Sequence, residues 1–136
     1  MSRWQGAPRS VRITALAVVV VLAYGTAVHV VQLVASGFDA YPDLPGWLTT
    51  YFTALTVLDP LAAVLLARRR RSGVVLAVAV LVSDAAANGI ANYALDPGMG
   101  VTAGRVGHAV ITVLALGTCA GAPRLWRSAS SLPHDR

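Results

Sequence analysis

The chain contains no lysine and no glutamate: its 11 cationic side chains are all arginine and its 6 acidic ones all aspartate. Together they make up 12% of the sequence, about half the ~25% typical of a soluble domain. That scarcity excludes a disordered chain and most soluble enzymes. One cysteine, Cys119, excludes a disulfide scaffold, a cysteine-rich zinc site and a CxxC redox centre. No GxSxG elbow, P-loop or dinucleotide-binding glycine motif is present. What fills the space instead is apolar. The chain is 56% hydrophobic over 136 residues, enough for one domain and little more. The net charge of +5 does not mark a nucleic-acid binder, because the arginines flank apolar stretches rather than lining a groove or a helix face.

Four stretches reach the ~20 apolar residues that a membrane helix needs: residues 13–35, 47–67, 73–95 and 101–122. The first is longer than the roughly 7–15 residue apolar region of a signal peptide, and is read as a retained span. Arg3, Arg9 and Arg12 precede it, Arg68, Arg69, Arg70 and Arg71 separate spans two and three, and Arg124, Arg127 and Arg136 follow span four. Asp39, Asp43 and Asp96 lie on the other side, with Arg105 just inside span four. The positive-inside rule then puts both termini in the cytoplasm, in a multi-pass protein of the cytoplasmic membrane. Phe38, Tyr41 and Trp47 fit an outer aromatic belt, Trp4 and Trp126 an inner one. Residues 123–136 read as a short, loose cytoplasmic tail. The Arg68–Arg71 run reads as a topology determinant that also attracts anionic lipid headgroups. Short connections predict antiparallel neighbours, so the fold class is all-α, a four-helix transmembrane bundle.

Each span carries a polar stripe. Span one has Thr26, His29 and Gln32; span two Thr49, Thr53, Thr56 and Asp59; span three Asp84, Asn88 and Asn92; span four Arg105, His108 and Thr112. All recur at three- or four-residue intervals, one helix face per span. Ionisable groups are costly in hydrocarbon and face the bundle interior, where they mark candidate functional sites. Asp59 falls roughly 17 Å from the outer end of its span and Asp84 roughly 16 Å from the inner end of its own, both near the midplane. His29, His108 and Asn88 come a little further out, then Gln32, Asn92 and Arg105. This layering predicts a polar cavity that opens outward or toward the outer leaflet. Two carboxyls at one depth would share a proton or recruit a cation. Pro60 deprives the Thr56 carbonyl of its helical partner, leaving a backbone acceptor beside Asp59 where a kink would widen the pocket.

Asp59, Asp84, His29 and His108 are therefore the candidate catalytic groups. Gln32, Thr56, Asn88, Asn92 and Arg105 are the candidate ligand-binding ones. The competing reading makes the carboxyls and amides interhelical glue and the histidines satisfied core residues. Arg105 has three readings: a pair with Asp96, an anion clamp in the cavity, or snorkelling to the interface. Without a local His-x-x-x-His pair, no metal site is expected; no cofactor or nucleic-acid partner is implied either. Gly117 and Gly121 form a GxxxG spacing that allows close helix packing.

Residues 51–62, which contain Asp59 and Pro60, and residues 83–89, which contain Asp84 and Asn88, resemble segments of uncharacterised small four-span membrane proteins of actinobacterial type. The four spans around buried acids and a histidine also resemble, in architecture, the EXPERA group of sterol isomerases and the sigma-2 receptor. That resemblance implies acids that bind or protonate a lipophilic ligand, with Asp59, Asp84 and His29 in those parts. The leading expectation is thus a pocket that binds, and isomerises or cyclises, an isoprenoid-like molecule. A proton-coupled transport component and a non-catalytic subunit of a larger membrane complex are the alternatives. Membrane lipids, and in either alternative a homo-oligomer or larger assembly, are the expected partners.

Overall fold

The computed structural model describes residues 2–37, 43–96 and 98–129. Four helices follow in chain order: α1 Arg9–Ser36, α2 Gly46–Ala67, α3 Arg71–Gly89 and α4 Ala103–Ala129. A π-helical turn, Ile90–Ala94, extends α3. Each of the four is long and apolar enough to cross a membrane, so the chain is a multi-pass membrane protein. The 22 residues of α2 rise roughly 33 Å at 1.5 Å each, close to the ~30 Å of a hydrocarbon core. α1 packs on α2, α2 on α3 and α3 on α4, while α1 meets α4 less extensively than any of these pairs meet. Small buried residues, Ala15, Ala62, Ala77 and Ala115 among them, let the helices approach closely. Val20, Val34, Val57, Val113 and Leu116 point outward and are exposed, as lipid-facing positions must be.

The helices outrun the predicted spans at the arginine end. α1 begins at Arg9, directly after Pro8. α4 runs on to Ala129, so residues 123–129, expected as a loose tail, are helical. Pro123 supplies no N–H to the carbonyl one turn back, yet the helix continues because Leu125 and Ala129 are buried at the base of the bundle. Arg136 lies outside the described residues, as do Phe38, Asp39, Tyr41 and Pro42 of the loop between α1 and α2.

At the arginine end a buried plug lies inside a rim of exposed arginines. Trp4, expected in an aromatic belt, is wholly buried, and its indole N–H donates to the Leu66 carbonyl at 3.1 Å. That carbonyl belongs to the last turn of α2 and also accepts the Arg69 N–H at 2.8 Å. Arg69 sits in the left-handed backbone region at φ 61°, which costs a non-glycine residue about 1–2 kcal/mol. Its side chain offsets that cost. Nε donates to the Ser128 carbonyl at 2.6 Å and Nη1 to the Arg3 carbonyl at 3.2 Å, and the guanidinium lies 5.5 Å from the Trp4 ring centroid. Nearby, the Arg71 guanidinium stacks over Trp126 at 4.8 Å. Two members of the arginine run are therefore built into the fold.

The tight α2–α3 turn depends on Gly73, where a Cβ would run into the backbone of Leu65 and Leu66. Gly117 has open space around it. Gly73→Ala is expected to destabilise the detergent-solubilised protein by about 1–3 kcal/mol, and Gly117→Ala by no more than about 0.5 kcal/mol. Unfolding curves that shift equally for the two variants would contradict this packing.

Candidate functional site

Four helix faces converge on one cavity of about 530 Å³, within the roughly 300–1,000 Å³ of small-molecule sites. α1 contributes Gly25, His29 and Gln32; α2 contributes Phe52 and Asp59; α3 contributes Asp84, Asn88 and Asn92; α4 contributes Gly107, Ile111 and Leu114. Six of the nine predicted site residues thus line a single space. The remaining wall is largely aliphatic, with Leu22, Val28 and Leu81 between the polar groups.

Asp59 is buried at 5% exposure, on a helix that runs unbroken through Pro60. Its carboxyl makes no hydrogen bond or ion pair among the described residues. α1 makes room for it with Gly25, where a Cβ would overlap the Asp59 Oδ2 atom. Asp84 faces it from α3, close enough for the two charges to interact. Asn88 Nδ2 donates to Asp84 Oδ1 at 2.9 Å and to the Asp84 carbonyl at 3.1 Å. Asn92 Nδ2 in turn donates to the Asn88 carbonyl at 2.9 Å. The amide stripe of α3 is therefore a ladder along its own helix. The hydroxyls of Thr26, Thr53, Thr112 and Thr118 behave similarly, each donating to the carbonyl four residues back. His29 is held by a side-chain hydrogen bond with Gln32 and stacks on Phe52, ring centroids 6.3 Å apart.

Three predicted site residues stand apart from the cavity wall. On α4 the wall is made by residues 107, 110, 111 and 114, and the stripe Arg105, His108, Thr112 lies roughly 100–160° round the helix from it. That stripe faces the α3 seam. His108 Nε2 is 3.3 Å from Thr112 Oγ1, its ring packs edge-on against Tyr93 at 5.2 Å, and Gly89 leaves room for it. Arg105 neither pairs with the Asp96 carboxylate nor enters the cavity. Its guanidinium donates to the carbonyls of Asn92, Asp96, Gly98 and Gly100 and lies over Tyr93 at 5.1 Å, closing the α3–α4 loop. Asp96 Oδ1 instead accepts the Gly98 N–H at 2.9 Å. Thr56 is sealed beside the cavity, its Oγ1 buried without a partner among the described residues.

Two features carried no periodic signal. Tyr51 OH and Ser83 Oγ, 2.7 Å apart, join α2 to α3 behind the carboxyls, and Tyr51 lies within electrostatic range of both aspartates. Tyr24, 72% exposed on α1, and the exposed Gly107 and Val110 of α4 line the cavity as well. They place its mouth between α1 and α4. The same two helices meet at the opposite end, where Gly121 lies against Thr14.

The arrangement supplies two carboxyls for proton exchange, an imidazole beside them, and amides that can orient a polar group, all in an otherwise apolar chamber. Among the described residues no group of three or more His, Cys, Asp or Glu is placed to hold a metal ion. No protein family, curated protein or solved structure matches the chain.

The Gly25–Asp59 contact is testable by a double-mutant cycle. Gly25→Ala is expected to lower thermal stability in an otherwise wild-type background and to cost much less in Asp59→Ala, where nothing remains to collide with. Equal losses in both backgrounds would refute the contact.

Proposed function

We propose that this protein, in the cytoplasmic membrane with both termini in the cytoplasm, takes an isoprenoid-like lipophile from the bilayer into the cavity between its helices. The observation that carries this reading is the joint placement of Asp59 and Asp84, on neighbouring helices, in one largely apolar cavity whose mouth lies between α1 and α4. A lipophile entering there keeps its hydrocarbon against the aliphatic wall and brings its reactive or polar group to the carboxyls. His29 sits where it can relay a proton, and Gln32, Asn88 and Asn92 where they can orient the ligand. His108 and Arg105 support the frame instead, and Thr56 stays outside the wall.

The chemistry such a site favours is acid–base isomerisation or cyclisation. One carboxylic acid protonates a carbon of a C=C bond, and the other, as carboxylate, removes a proton from a neighbouring carbon. A double bond moves, or a ring closes, with no net change in atoms or charge. No oxidant or cofactor is required. This is the role that the likeness to the EXPERA group suggests for buried acids.

A transport role would need a path to both faces. The arginine half of the bundle is instead packed with Ala15, Val18, Ala62, Leu66 and Val74, all buried. An accessory subunit whose polar stripes only fix register would need no cavity. Both considerations favour a dead-end pocket.

Native mass spectrometry with lipid extraction, on protein purified in mild detergent, tests the proposal. The expected result is one defined lipophile on the wild type. Its occupancy should fall roughly tenfold or more, equivalent to at least about 1.4 kcal/mol, in Asp59→Asn and in Asp84→Asn. His108→Ala should retain it. An empty wild-type protein, or a lipophile held equally by both aspartate variants, would refute the reading.

A further inference from the structure

A second cavity, of about 360 Å³, lies at the arginine end and is lined by Trp4, Arg9, Arg12, Ile13 and Leu16. Positions 9, 12, 13 and 16 fall on one face of the first two turns of α1. That face is graded along the membrane normal. Two guanidiniums lie at the helix end, and the exposed side chains of Ile13 and Leu16 follow on the span side. Trp4 gives the cavity a rigid floor, fixed by its bond to Leu66 and covered on its other flank by Arg69.

The arginines of this end differ in what they already hold. Arg69 is spent on the carbonyls of Ser128 and Arg3, Arg71 stacks on Trp126, and Arg127 Nε donates to the Pro123 carbonyl at 3.2 Å. The guanidiniums of Arg9 and Arg12 have neither a hydrogen bond nor an ion pair among the described residues. No described acid is near enough to neutralise them: Asp43 and Asp96 belong to the opposite end, and Asp59 and Asp84 to mid-helix. Two free guanidiniums over an open cavity call for an anion with several oxygens, because their planar forks match a phosphate group. The apolar half of the same cavity calls for a hydrocarbon chain attached to it.

We infer that this cavity is a binding site for an anionic phospholipid, with its phosphate on Arg9 and Arg12 and an acyl chain along Ile13 and Leu16. The site is separate from the acid-lined cavity and stands whether or not that cavity binds a lipophile. It is also more specific than the general attraction of a basic membrane flank for anionic lipid. Arg68 and Arg70, equally charged and exposed at the same end, do not line this cavity and serve as its control.

The test counts lipids retained by the full-length protein in native mass spectra after exchange into nanodiscs of phosphatidylglycerol or of phosphatidylcholine with the same acyl chains. The expected result is one tightly retained phosphatidylglycerol and no comparable phosphatidylcholine. Arg9→Gln with Arg12→Gln should cut that retention about tenfold, and Arg68→Gln with Arg70→Gln, an identical change in charge, no more than about twofold. Leu16→Ser should weaken retention of the long-chain lipid without changing competition by glycerol phosphate. Equal losses in the two arginine pairs would reduce the effect to diffuse charge and overturn the site. Displacement of the lipid by inorganic phosphate as readily as by short-chain phosphatidylglycerol would overturn the lipid assignment. Melting curves of the glutamine variants that match the wild type show that neither result comes from unfolding.

Discussion

Arg69 holds together the end of the molecule on which everything else rests. It accepts an unfavourable backbone conformation to make the short α2–α3 turn, then uses its side chain to bind the last turn of α4 and the segment before α1. Trp4, beneath it, binds the end of α2. The segment before α1, the end of α2, the turn into α3 and the last turn of α4 thus meet in one small plug of side-chain donors on backbone carbonyls. A bundle pinned in this way at one end can part at the other. α1 and α4 touch near Thr14 and Gly121 and line opposite sides of the cavity further along. The chamber and its lateral mouth follow from the plug.

Within the chamber the constraint is electrostatic. Asp59 is buried with no partner among the described residues, opposite a second carboxyl that has only an amide. Folding that merely needed glue would pair these groups across helices. The amides of Asn88 and Asn92 and the hydroxyls of Thr26 and Thr53 instead bond the carbonyls of their own helices, and Gly25 gives up a side chain to admit the Asp59 carboxyl. Polar capacity is left unspent toward the cavity, which is the property a binding site requires.

The membrane spans and the all-α bundle were legible in the sequence, because hydropathy and arginine spacing encode them directly. The α3 stripe lines the cavity throughout, while α1 sends in His29 and Gln32 and α2 sends in Asp59 with Thr56 left outside the wall. α4 misled because its stripe, Arg105–His108–Thr112, is as periodic as the others but seats against α3. Periodicity identifies a face without naming the helix it meets. Arg105 was ambiguous for a similar reason: the carbonyls it gathers come from a loop whose path no local pattern specifies. Trp4 and residues 123–129 read as flank and tail, since a short apolar contact across the bundle, Leu125 with the plug, has no signature in either segment alone. The Tyr51–Ser83 pair, 32 positions apart, escaped notice on the same ground.

The four helices are unequal in length. α1 and α4, with 28 and 27 residues, outreach the 22 residues of α2 by roughly 8 Å of rise. The excess lies in polar turns at the arginine end, Arg9–Arg12 of α1 and residues 123–129 of α4, so it reaches into the headgroup layer and does not lengthen the apolar span. The two helices that frame the mouth are thereby the ones that extend furthest into the interface at the opposite end.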